Sequence, residues 1–68
     1  MLATGEFYME YGRLKMIKQE TEVAVILFEN SLTIFQKNYD ESHEKVIQVK
    51  EYLTQINNVN SRNHRTIS

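Results

Sequence analysis

Val23-Ala24-Val25-Ile26-Leu27-Phe28 is the longest apolar run in the chain, and it constrains the fold more than any other stretch. So short a run fits a buried strand or the inner part of a buried helix, because periodicity cannot separate the two over six residues. The residues that follow decide it. Ala24, Phe28, Ser31, Leu32 and Phe35 continue at spacings of three and four, as one face of a helix requires. No glycine or proline interrupts the chain after Gly12. The β-branched residues within the run lower helix propensity by only about a few tenths of a kcal/mol each, which packing overrides. A helix from about Glu22 to Lys37 is the expected element, apolar all the way round through Val23–Phe28 and therefore expected to be buried on every side.

On either side of this helix the pattern is again helical. From Leu2 to Lys18, Leu2, Tyr8, Tyr11 and Leu14 fall roughly on one side, and Glu6, Glu10 and Arg13 on another, which predicts an amphipathic helix. Gly12 inside it costs about 1 kcal/mol relative to alanine and is expected to mark close approach of another backbone. Gln19-Glu20-Thr21-Glu22 breaks the apolar pattern, with Thr21 as the expected N-cap of the second helix and acidic neighbours suited to its positive end. After the polar connector Asn38–Ser42, the residues Val46, Val49, Leu53 and Ile56 repeat at three and four with Tyr52 beside them. They predict a third helix from Ser42 to Asn57, capped by Ser42 or Asp40, with a narrow apolar seam. The expectation is an all-α module over residues 1–57, an antiparallel helix hairpin plus a third packing helix. The polar stretch 58–68 is expected to be a disordered tail whose Arg62, His64 and Arg65 serve solubility rather than recognition.

Size then bears on function. A chain of 68 residues buries only about 60% of the surface its unfolded form exposes, so its stability is marginal. Disulfides and thiolate metal sites are excluded by the lack of cysteine, which leaves association with another subunit as the expected support. A net charge of −1 supplies no electrostatic drive toward nucleic acid or anionic lipid. No stretch approaches the roughly 20 apolar residues of a membrane span, and a cytoplasmic, non-membrane protein is expected.

Tyr8, Tyr11 and Gly12 on the first helix, then Ala24, Phe28, Ser31 and Leu32 on the second, resemble the signature of a tetratricopeptide repeat in ungapped register. Ile34–Lys37 and the connector with Ser42-His43-Glu44 resemble the longer repeat of kinesin light chains. The chain departs from the pattern where Lys15 replaces a tyrosine, Gln19 the glycine of the turn, and Ser42 and Glu44 the Asp and Pro of the connector. The resemblance covers about Glu6 to Val46 and implies one repeat followed by the first helix of a next one. It further implies contact of the two helices at Gly12 and Ala24, with Tyr8 and Phe28 filling the flanking volume, and a binding face along the first helix formed from Glu6, Met9, Glu10 and Arg13.

The expected function is a non-catalytic protein–protein interaction scaffold, with a protein or peptide as partner. Val23 and Ile26, together with the seam residues Val49 and Leu53, are expected to contact another copy or adjoining repeats. The alternative is an autonomous three-helix regulator that dimerises through its apolar helices. No catalytic residue, cofactor or metal site is expected. The glutamates read as a solvated face, His43 beside Asp40 and Glu44 lacks a second ligand cluster, and no phosphate loop or nucleophile elbow is present.

Overall fold

The computed structural model describes residues 2–67, and side chains for residues 3–58. Its elements are α1 (Leu2–Ile17), α2 (Thr21–Asn38) and α3 (Glu44–Ile67), with no strand among the described residues. The fold is all-α, with α1 and α3 both packed against α2. Gly5 on α1 lies against Phe35 and Ile34, and Gly12 against Phe28, so α1 and α2 run antiparallel. The third helix, expected to end at Asn57, extends to Ile67. The disordered tail expected over 58–68 lies, apart from Asn58, outside the residues whose side chains are described.

The turn between α1 and α2 follows from its backbone. Gln19 N–H donates to Met16 O and Glu20 N–H to Lys15 O, the paired bonds of a Schellman motif, and Gln19 sits at φ 67 to close it. A hydrophobic contact usually accompanies this motif. Here an ion pair, Lys15 Nζ to Glu20 Oε1 at 3.3 Å, joins the corresponding residues. Glu20 C=O then accepts from Ala24 N–H, so Glu20 rather than Thr21 is the N-cap of α2, and its side chain makes no capping bond. The physical reason is economy of chain: the residue that ends one helix begins the next. Left-handed backbone costs a residue bearing a Cβ about 1 to 2 kcal/mol, and glycine relieves most of it. Gln19→Gly is expected to raise stability by about 1 kcal/mol, read as a higher urea midpoint at unchanged slope.

A histidine holds the start of α3. His43 N–H donates to Asp40 O, which closes the connector, and His43 C=O accepts from Ile47 N–H, the first bond of the helix. The Nδ1 of His43 accepts from Lys45 N–H at 3.0 Å, and its ring stacks on Tyr39 with centroids 3.7 Å apart. Neither Ser42 nor Asp40 is the cap, since turn closure makes His43 the last residue before the helix. His43→Ala should cost about 1 kcal/mol as cap deletions do, whereas His43→Asn, which keeps an acceptor, should recover most of it in the same denaturation assay.

The core is a single cluster of Met9, Ala24, Phe28, Phe35, Val46, Val49 and Ile56, with Met16, Val25, Leu32, Tyr39, Tyr52 and Leu53 packed around it. Phe28 lies at its centre, stacked on Tyr52 with centroids 5.0 Å apart on one side and set into the notch at Gly12 on the other. Ser31 is the one buried polar residue among those described, and its Oγ donates to the carbonyl of Gly5 at 2.7 Å. Small residues at the α1–α2 crossing thus serve two purposes. They let the axes approach, and Ser31 ties the helices together without leaving a polar atom unpaired.

Candidate interaction surface

The two faces of α1 are both apolar, and the structure buries the one that carries glycine. Gly5, Met9, Gly12 and Met16 face α2, while Phe7, Tyr11, Leu14 and Ile17 are 61%, 41%, 55% and 71% exposed. The expectation that Tyr11 and Leu14 turn inward is therefore corrected. A phenylalanine ring from α2 occupies the volume at each glycine, with ring atoms 2.9 Å from where a Cβ would stand at both Gly5 and Gly12. Only the glycine face admits Phe28 and Phe35. The aromatic face is left outside.

Each residue assigned from the sequence can now be located. Gly12, Ala24, Phe28 and Ser31 are buried at the helix crossing, with Tyr8 and Leu32 half-buried at its margins. The three atoms nearest a Cβ at Gly12 all belong to the ring of Phe28, the residue expected to fill the flanking volume. Along α1, Glu6, Glu10 and Arg13 are exposed, whereas Met9 is buried between the helices and is removed from the expected binding face. Glu10 and Arg13 satisfy each other at 2.9 Å, and the Arg13 guanidinium also lies over the Tyr52 ring, linking α1 to α3.

The run Val23–Phe28 is not buried on every side: Val23 and Ile26 are 42% and 58% exposed, because two neighbouring helices cover only part of its circumference. Val49 is fully buried and Leu53 packs on the core, so the seam of α3 is spent within the chain rather than offered to a partner. Phe7, Leu14 and Ile17 were absent from the expected surface. For Phe7 and Leu14 the signal was present all the same, since Phe7, Tyr11, Leu14 and Lys18 follow one another at four, three and four, a series that does not include Ile17.

Near the C-terminal end of α1, Lys15 places its ammonium 5.3 Å from the centre of the Tyr11 ring while pairing with Glu20. Phe7 in turn packs against both Tyr8 and Tyr11, with centroids 6.1 and 5.8 Å apart, so the exposed aromatics form one contiguous group.

At the opposite end of the module, Glu41 accepts from Gln36 Nε2 of α2 and from Lys50 Nζ of α3, bracing the connector between the two helices. The hydrogen bond from Lys50 holds the Glu41 carboxyl below its ordinary value, the charge of Lys50 and the bond from Gln36 adding to the effect. A depressed carboxylate contributes stability above its unfolded value of 4.5 that is lost as pH falls through its folded value. Full exposure keeps that contribution small. A carboxyl-detected NMR titration should show Glu41 titrating at lower pH than in Lys50→Ala, in which its midpoint should rise toward 4.5.

Among the described residues there is no group of three or more His, Cys, Asp or Glu side chains placed to hold a metal ion, and no helix is long and apolar enough to cross a membrane. No family model, curated protein or solved structure matches the chain.

Proposed function

We propose that the chain is a non-catalytic protein–protein interaction module of the tetratricopeptide type, one repeat followed by the first helix of a next, working in the cytoplasm with protein or peptide partners or adjoining helical repeats. The observation that carries this reading is the uncovered apolar face of α1, Phe7, Tyr11, Leu14 and Ile17, with Val23 and Ile26 of α2 also exposed. A lone folded domain has no use for such a surface, and contiguous exposed apolar patches mark interaction sites. Repeat architectures leave such faces because each unit is completed by its neighbour. The small residues at the helix crossing, Gly12, Ala24 and Ser31, support the type of repeat.

The test is a tandem chain in which residues 1–43 precede all 68 residues, so that a second α1 follows the first α2 where α3 now stands. On the repeat reading the tandem unfolds in one transition, with a urea midpoint above that of the single chain and a steeper slope, because a new inter-repeat interface adds to the sum. A midpoint no higher than that of the single chain would set the repeat reading aside in favour of an autonomous three-helix regulator.

A further inference from the structure

Building on the interaction-module reading, we infer that the outer face of α1 binds the same face of a second copy of this chain, with the two α1 helices antiparallel about a two-fold axis. An isologous interface needs a surface that matches itself after a half-turn, and α1 provides one in both shape and charge.

In shape, Phe7, Tyr11, Leu14 and Lys18 form a stripe at spacings of four, three and four, the spacing with which paired helices interlock. An antiparallel crossing midway between Tyr11 and Leu14 sets Tyr11 of each copy level with Leu14 of the other, and Phe7 level with Lys18. The lysine stem then lies along an exposed phenylalanine ring, where its ammonium is attracted by the ring face. Every member of the stripe thus has an opposite number.

In charge, the N-terminal half of α1 carries Glu6 and Glu10, and the C-terminal half Arg13, Lys15 and Lys18. A parallel pairing sets like charges beside one another. An antiparallel pairing sets each acidic half along the basic half of the other copy. Glu10 pairs with Arg13 and Lys15 with Glu20 inside the chain, while among the described residues Glu6 and Lys18 have no ion-pair partner. In the register that sets Phe7 opposite Lys18, Glu6 lies one residue from level with that lysine, at the flank of the same pairing.

The area suits a weak dimer. The exposed parts of Phe7, Tyr11, Leu14 and Ile17 offer on the order of 500 Å² per copy, below the roughly 800 Å² per partner of a standard interface and in the range of weak, transient contacts. Ring contacts of Phe7 with Tyr8 and Tyr11 restrain the aromatic part of the stripe, which lowers the side-chain freedom those residues lose on association.

Equilibrium sedimentation of the full chain over roughly 1 to 100 µM tests the proposal, and a monomer–dimer equilibrium with a micromolar dissociation constant is expected. Leu14→Glu should weaken the dimer by on the order of a hundredfold, since it buries an unpaired charge. Because Leu14 is exposed in the single chain, helicity by circular dichroism should not change. The charge register has its own readout. Glu6→Lys and Lys18→Glu should each weaken association by about fivefold or less, and the double exchange should restore it, as exposed ion pairs do. A concentration-independent monomer, a dimer indifferent to Leu14→Glu, or a double exchange weaker than either single one would each overturn the inference. If the chain is a monomer while the tandem chain still gains stability, the repeat reading survives and this face belongs to an adjoining repeat. Failure of both experiments removes the repeat reading as well.

Discussion

Replacement of Phe28 by alanine is expected to leave the chain without a cooperative unfolding transition at 25 °C. The ring is fully buried, fills the notch at Gly12, and stacks on Tyr52 of α3, so it is shared by all three helices. Truncating a buried phenylalanine costs about 3 to 5 kcal/mol in lost transfer energy and cavity formation. At about 0.05 to 0.15 kcal/mol per residue a chain of 68 residues has roughly 3 to 10 kcal/mol of stability in total, and its small buried fraction sets it at the low end, where the loss takes all of it. Phe28→Leu keeps most of the volume and should retain a transition at a lowered midpoint. Phe28→Ala measured beside it by far-UV circular dichroism separates loss of volume from loss of an aromatic. A sharp transition in the alanine variant at the unaltered midpoint would mean that Phe28 does not join the helices as described.

Much of the architecture was legible because it rests on periodicity and breaks in it. The spacing from Ala24 to Phe35 identified a helix where six apolar residues alone were ambiguous, and α2 spans Thr21–Asn38. The polar connectors marked where the chain turns, and Val46, Val49, Leu53 and Ile56 marked the buried side of α3. Gly12 was legible as a point of close approach because a glycine within a helix is costly unless something uses the space. The gap is filled by the ring of Phe28, the residue expected to fill the flanking volume, and how far that ring enters the notch is side-chain geometry that a one-dimensional pattern does not carry.

The facing of α1 was misread for a related reason. Hydrophobicity alone favours burial of the side that carries Tyr11 and Leu14, since glycine contributes no apolar side chain to any such count. Steric fit favours the other side. Gly5 and Gly12 are two turns apart, as are Phe28 and Phe35, so the two notches and the two rings share one repeat along the antiparallel helices. That pairing of intervals was present in the sequence and is the signal by which Gly5 could have been found. Once the glycine face is inside, the aromatic face must lie outside, and the candidate interaction surface follows from core packing. The caps were missed differently. General preference favours Thr21, Ser42 and Asp40, but the hydrogen bonds that close each turn select Glu20 and His43.

Introducing leucine at Gly12 is the second change expected to have a large effect, and two contributions of opposite sign decide it. Leucine is the better helix former by about 1 kcal/mol, so on an exposed helix face the substitution would stabilise. At Gly12, even a Cβ would stand 2.9 Å from Cε1 and 3.0 Å from Cδ1 of Phe28, closer than carbon atoms pack. The Phe28 ring is held from its other side by Tyr52 and has no solvent to retreat into, so the added atoms must push α1 and α2 apart. That separation would stretch the Ser31 bond to the Gly5 carbonyl and partly uncover Met9. Overpacking of this kind costs about 1 to 3 kcal/mol, and with four added carbons against a fixed ring the upper part of that range should prevail over the gain in propensity. The expected result is a lower urea midpoint at unchanged slope, measured at one protein concentration so that association does not enter the comparison. Combining Gly12→Ala with Phe28→Leu supplies the internal control. The smaller, flexible side chain gives room to the new Cβ, so the double variant should be more stable than the sum of the two single changes predicts. Strict additivity, or a midpoint that rises in Gly12→Leu, would show that Gly12 does not face Phe28.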